Sequence, residues 1–329
     1  MEINLLSFIP LMLQAQNNQE TERAVKYFLA QALGSAIMLY SRILLYHPRN
    51  YTLIQCILIS SLLLKLGAAP CHYWFPSTIS SIRWLNCLIL CTWQKLAPLA
   101  LLIFPFIGLN QLKPLIILVA ATNAIVGGLL GINQSHIRTI LAYSSITHIG
   151  WIIGSSLTNS ALIPMLYFAI YSVIVAPLFI ILNAWKSISF SQMPQIFISS
   201  VNISIIFSLT LLSLGGLPPL TGFIPKWIAI IALSDVNWVL IIFLLLGRLI
   251  NLYFYLNLTF NILISSLILN TYNKSINPTP LRVFLMGALS TLGMFPMIVY
   301  AMTLLYKSQR HWHLIYSLWS LSRYSGYRD

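Results

Sequence analysis

Apolar runs of roughly 18 or more residues recur along almost the whole chain, separated only by short polar connections. No other feature constrains the fold as strongly. A helix crossing a ~30 Å hydrocarbon core needs about 20 mainly apolar residues. The lipid interior admits only structures that satisfy their own backbone polar groups. The chain is therefore expected to be all-α, a polytopic membrane helix bundle. Composition agrees, since 58% of the 329 residues are hydrophobic and 7% are charged. A soluble domain would carry about 25% charged residues.

The net charge of +13 does not point to nucleic acid. Nucleic-acid binders gather their basic residues on one face or tail, whereas here Lys and Arg mostly stand singly between apolar runs, as loop charges of membrane proteins do. Counted loop by loop, these charges do not orient the chain across the membrane. Only the end of the chain is cationic, with Lys307, Arg310, Arg323 and Arg328 beside Trp312 and Trp319. Either a segment lying on a membrane surface or a solvated tail fits that pattern. Two regions follow: a membrane domain over 1–305 and a basic, aromatic tail over 306–329. Cys56, Cys71, Cys87 and Cys91 lie in or beside apolar runs and are expected to be buried structural thiols.

About ten helices are predicted. The first, Met1 to Gln14, is too short to span, since ~14 residues rise only ~21 Å. The others cover approximately 22–46, 51–69, 85–104, 113–133, 137–157, 160–185, 196–215 continuing through a break to 233, 236–266 and 281–305.

Two runs are interrupted. One reads Lys65-Leu66-Gly67-Ala68-Ala69-Pro70, the other Gly215-Gly216-Leu217-Pro218-Pro219-Leu220-Thr221-Gly222. Proline lacks an N–H and clashes with the carbonyl four residues back. Pro70 is thus expected to free the Leu66 carbonyl, and Pro218 and Pro219 those of Leu214 and Gly215. Irregular backbone at membrane depth persists only where it is buried in protein or lines a wet cavity. The breaks fall in the third and eighth helices, an odd separation that gives them opposite directions. Such a pair points to an inverted-repeat transporter with its site near the midplane; ordinary proline kinks are the plainer account.

Lysines lie at or between these breaks. Lys95 is central in its run, where a lysine costs ~2.5–3.5 kcal/mol on insertion scales; the Gln94 carbonyl freed by Pro98 is expected to help hold its charge. Lys65 precedes the first break and Lys226 follows the second. Burial favours a neutral amine and a nearby carboxylate the ammonium, so a lysine between such influences can exchange protons near neutral pH. Snorkelling to the interface is the competing account for each. Glu2 is the one acid in an apolar setting, readable as a solvated chain end or as a partner for a lysine. His148 shares a helix face with Ser144 and Ser145, which leaves open both a relay position and interhelical hydrogen bonding by a neutral imidazole. His72, among Tyr73, Trp74 and Phe75, reads as part of an interfacial aromatic belt. Arg248 lies well inside its helix with its role undecided.

Taken in order, MEINLLSFIP (1–10), KYFL (26–29), KLGAAP (65–70), TWQKLAP (92–98), NQ (133–134), LAYSSITHIGW (141–151), LSLGGLPPLTGFIPKW (212–227) and NLYFYL (251–256) carry a specific resemblance. The chain resembles the chain 2 family of animal mitochondrial NADH–ubiquinone oxidoreductase, respiratory complex I, over roughly residues 1–256. That family is an antiporter-like, proton-translocating part of the membrane arm. The resemblance implies proton translocation through Glu2, Lys65, Lys95 and Lys226, with Glu2 and Lys65 acting as a pair, and antiporter-like inverted repeats broken at Gly67 and Pro70 and at Gly215, Gly216, Pro218 and Pro219. It implies no cofactor or metal in this chain, with NADH, FMN, iron–sulfur clusters and ubiquinone elsewhere in the complex. The implied partners are other membrane-arm subunits, neighbouring antiporter-like subunits and lipids, in the mitochondrial inner membrane. A cation–proton antiporter subunit and a non-pumping scaffold are the competing functions. The family normally carries a helix and part of another before the glutamate, so a truncated N-terminus is expected. Many members also have an arginine where Asn257 stands here.

Overall fold

The computed structural model describes residues 2–13, 18–44, 51–106, 110–158, 160–185 and 201–269. They form an all-helical bundle: α1 (Glu2–Met12), α2 (Asn18–Leu44), α3 (Tyr51–Leu66), α4 (Trp74–Ile79), α5 (Trp84–Cys91), α6 (Trp93–Phe106), α7 (Lys113–Ile132), α8 (Ile137–Ser155), α9 (Leu162–Trp185), α10 (Val201–Gly215), α11 (Phe223–Ser234) and α12 (Trp238–Leu269). Five helical spans among these residues are long and apolar enough to cross a membrane. The expected helix over 281–305 and the tail over 306–329 lie outside the described residues.

The elements are more finely divided than the apolar runs suggest. The run expected as one helix over 85–104 bends at Thr92 into α5 and α6. The Thr92 hydroxyl donates to the Leu88 carbonyl at 2.8 Å, a back-bond that bends helices, and Pro98 removes a further donor from the next turn. The stretch after the first break carries a half-helix, α4, and the second broken run divides into α10 and α11.

Helix α8 is the axis. It packs against α4, α7, α9, α11 and α12, and nearly every residue from Ile137 to Ser155 is buried. Ser144, Ser145, Thr147 and His148 are tolerated in it because it faces protein rather than lipid. Apolar helices gain no hydrophobic driving force from meeting inside a bilayer, so close backbone approach supplies the attraction. A Cβ on Gly150 would lie 2.9 Å from the Ala120 carbonyl oxygen, and one on Gly247 would lie 2.5 Å from that of Ala124. These contacts seat α8 and α12 on α7. Outward faces are apolar, with Leu33, Leu118 and Leu249 exposed.

Candidate proton-transfer site

Both interruptions use one local device. Helix α3 ends with Gly67 at φ +66°, a left-handed conformation that lacks a steric penalty only for glycine. The Gly67 N–H donates to Leu64 O and the Ala68 N–H to Leu63 O. Helix α10 ends with Gly216 at φ +81°, its N–H donating to Ser213 O and the Leu217 N–H to Leu212 O. Each is a Schellman motif, with Pro70 or Pro218–Pro219 just beyond it to prevent continuation.

Groups left open at the first break find distant side chains. Gln31 donates to Lys65 O at 3.0 Å and the Trp74 indole to Leu64 O at 2.9 Å. The Ala69 N–H donates to Asn123 Oδ1 at 2.7 Å. Helix α3 ends at Leu66, and the side-chain donors at this break reach the carbonyls of residues 64 and 65. Asn123 is fully buried in α7. Asn123→Leu would strand the Ala69 N–H, and a stranded buried donor costs about 1–3 kcal/mol. The expected result is a lower thermal midpoint for the purified assembly, measured by differential scanning fluorimetry.

At the second break the freed carbonyls are those the prolines imply. Lys226 Nζ donates to Leu214 O at 2.7 Å and to Gly215 O at 3.0 Å. Arg248, from α12, donates to Gly216 O. Two cations thus share the C-terminus of α10, where the helix dipole favours positive charge. Arg248 therefore pairs with a main-chain carbonyl at the end of the broken helix, close to the carbonyls that hold Lys226. The main-chain partner of Lys226 was not evident from its sequence neighbours.

Lys65, Lys95 and Lys226 are 5%, 3% and 3% exposed, so none of them snorkels. Lys65 Nζ lies 3.5 Å from Glu2 Oε1, with the carboxylate side more than half exposed. Glu2 thus pairs with Lys65 while remaining largely open to solvent. Lys95 Nζ donates to Ser145 Oγ at 3.1 Å and sits 4.1 Å from the centre of the Phe75 ring. Among the described residues no hydrogen bond joins the Lys95 ammonium to the Gln94 carbonyl. Gln94 instead turns its side chain to α1, exchanging hydrogen bonds with Asn4 at 3.0 and 3.3 Å, and Tyr27 donates to it at 3.4 Å.

Beyond Lys95 the polar series continues through α8 and α9. Tyr171 packs its ring 4.9 Å from that of His148. His148 Nδ1 lies 3.0 Å from the Tyr167 hydroxyl. His148 is within electrostatic reach of both Lys226 and Lys95. The imidazole thus makes the interhelical hydrogen bond expected of a neutral ring. Asn251 of α12 donates to Thr147, closing the bundle around this series.

His72 is 4% exposed, stacked on Tyr73 at 4.4 Å, with Nδ1 3.2 Å from Pro70 O. Phe75 is fully buried and only Tyr73 faces outward. The break turns His72 and Phe75 inward, where their rings fill space beside irregular backbone, and leaves Tyr73 on the outside. Sequence reading passed over Asn123, Tyr167 and Tyr171, and it named Ser145 and Phe75 without linking either to Lys95. A polar residue alone in an apolar run was the available signal for Asn123; the others look like ordinary helix residues. Cys87 and Cys91 are buried, with Cys87 directed at the Ile79 and Ile82 carbonyls. Among the described residues no group of three His, Cys, Asp or Glu could hold a metal ion.

Comparison with known proteins places this arrangement among relatives. The family described as NADH:quinone oxidoreductase/Mrp antiporter, TM, matches residues 1–251. NADH-ubiquinone oxidoreductase chain 2 of Lumbricus terrestris is 41% identical over 307 residues, 91% of this chain and 89% of that protein. The chain 2 protein of Anopheles gambiae is 42% identical over 270 residues, 80% of this chain and 77% of that protein. Among solved structures, a chain of respiratory complex I from Thermus thermophilus superposes with a TM-score of 0.75 at 25% identity. That match covers 90% of this chain and 71% of the other.

Proposed function

The chain belongs to the NADH-ubiquinone oxidoreductase chain 2 family, within the NADH:quinone oxidoreductase/Mrp antiporter group, and on that premise we propose that it is a proton-translocating core subunit of the membrane arm of that enzyme. One observation carries the assignment of residues. Three lysines are buried in an apolar bundle, and buried hydroxyls and His148 lie between two of them. A charge at such depth is expensive and marks a functional pathway by default.

In this reading Glu2 and Lys65 form the input. Redox chemistry elsewhere in the complex alters their pairing, and the altered charge at Lys65 changes how firmly Lys95 holds a proton. Lys95 exchanges its proton along Ser145, Tyr171 and His148 toward Lys226, whose ammonium is held by the Leu214 and Gly215 carbonyls. Arg248 adds a fixed positive charge to the same helix end and so opposes simultaneous protonation of Lys226 by Coulomb repulsion. Proton transfer along this series needs only amines, an imidazole, hydroxyls and water. NADH, FMN, iron–sulfur clusters and ubiquinone belong to other subunits of the complex. The partners are the remaining membrane-arm subunits, including antiporter-like neighbours, and the site of action is the mitochondrial inner membrane.

Two competing functions make different predictions. A cation–proton antiporter subunit would copurify with antiporter subunits and without redox subunits. A scaffold would leave pumping intact when Lys65, Lys95 and Lys226 are all replaced by methionine. The expected result is copurification with NADH-oxidising activity, and loss of proton uptake in vesicles on triple replacement. Normal proton uptake by the assembled triple variant would end the proposal.

A further inference from the structure

The function proposed above requires that the first break influence Lys95, whose hydrogen bond goes to Ser145 of α8. Phe75 touches both the turn that follows Lys65 and the Lys95 ammonium. It is the second residue of α4, the half-helix that leaves the break, and its side chain is 0% exposed.

The ring has two sides to its role. Toward α6, its face receives the Lys95 ammonium at 4.1 Å from the centroid. Among the described residues Lys95 forms no ion pair; the ring and the Ser145 hydroxyl contact the ammonium, with the Cys91 thiol and His148 within electrostatic reach. An aromatic quadrupole attracts an ammonium and does nothing comparable for a neutral amine. Toward the break, the seat of the ring is fixed. A Cβ on Gly67 would lie only 2.7 Å from Phe75 Cβ, so the positive-φ turn and the Phe75 side chain are in contact. Trp74 meets Phe75 edge-on at 5.7 Å, and its indole is tied to the Leu64 carbonyl, one residue from Lys65.

We propose that Phe75 is a positioning residue that couples the first helix break to Lys95. Its ring favours the protonated state of Lys95, and movement of the Leu64–Gly67 turn moves the ring. This deepens the preceding reading and rests on Lys95 being a proton carrier. An aliphatic residue would fill the same space and keep α4 packed, but would present no negative face to the ammonium.

The test compares Phe75→Leu and Phe75→Tyr in the assembled complex within native membranes, reading proton translocation against NADH oxidation and the amount of complex on native gels. A desolvated cation–π contact has the strength to alter proton occupancy by roughly tenfold or more. Phe75→Leu is therefore expected to lower the proton-coupled rate about tenfold at unchanged assembly, with Phe75→Tyr retaining it. Should Phe75→Leu fail to accumulate, Phe75→Met keeps similar bulk without a π face and is read in its place. Combined with Glu2→Gln, Phe75→Leu is expected to be less than additive, because both act through one link. Equal pumping by the Leu and parent proteins, or equal loss in the Leu and Tyr variants, would overturn the inference. Lys95→Met measured alongside separates the two failures. If it stops pumping while Phe75→Leu has no effect, only the Phe75 link is lost. If it pumps normally, the role of Lys95 itself is wrong.

Discussion

Lys95→Met is expected to stop proton translocation by the assembled complex while leaving its assembly intact. Both halves of that result follow from the surroundings of Lys95. Its side chain is 3% exposed, between the Phe75 ring and Ser145. Methionine is similar in length, flexible and apolar, and its sulfur makes favourable contacts with aromatic rings. The substitution removes a buried charge together with the desolvation that opposes it, and such exchanges are often neutral or stabilising. Ser145 keeps its own hydrogen bond to the Ala142 carbonyl, so no donor is stranded. What is lost is the group that takes up and releases a proton. Removing a positioned proton-transfer group typically slows the step by about 10²–10⁴-fold. The measurement is proton uptake by reconstituted vesicles during NADH oxidation, with native gels for assembly. A normal proton-to-electron ratio in the assembled variant would remove Lys95 from the pathway.

The second large effect is structural. Gly222→Ala should prevent stable accumulation, whereas Gly215→Ala, seven residues earlier in the same break, should be tolerated. A Cβ on Gly222 would fall 1.7 Å from the Ser213 carbonyl oxygen. That is backbone against backbone, so no side chain can move aside. Relief would require separating the end of α10 from the start of α11, and with it the carbonyls that hold Lys226. Overpacking ordinarily costs about 1–3 kcal/mol. Here the displaced group is part of a buried hydrogen-bonded motif, and a loss above about 4 kcal/mol is expected. At Gly215 the added methyl would meet Leu252 at 3.4 Å, an ordinary contact. Immunoblots of membranes expressing each variant give the comparison. Equal accumulation would show that the two halves of the broken helix are not held as closely as described.

Part of this was readable before any fold was known. Apolar runs separated by short polar connections required membrane helices, because lipid leaves a backbone no other way to satisfy itself. Gly67 with Pro70, and Gly216 with Pro218 and Pro219, announced the two breaks, since proline ends a hydrogen-bond ladder and glycine accepts the turn that closes it. Lys65, Lys95 and Lys226 stood out through the cost of a charge in an apolar run. The chemistry of the freed Leu214 and Gly215 carbonyls was also legible, because a proline acts on the residue four positions back. These are local effects, written within a few neighbouring residues.

What answers each lysine was decided by tertiary structure. Glu2 reaches Lys65 across 63 positions, and Ser145 reaches Lys95 across 50. Asn123 supplies an acceptor to Ala69 across 54. Phe75 and His72 looked like interfacial aromatics until the break turned them inward. No helical period or local spacing encodes such pairings, because they depend on which faces of separate helices meet and how closely their glycines let them approach. The apolar runs thus determined that the chain fills a membrane and that its buried charges must be answered. Packing between helices determined by what: a carboxylate for Lys65, a hydroxyl and a ring for Lys95, and the buried carbonyl end of a broken helix for Lys226.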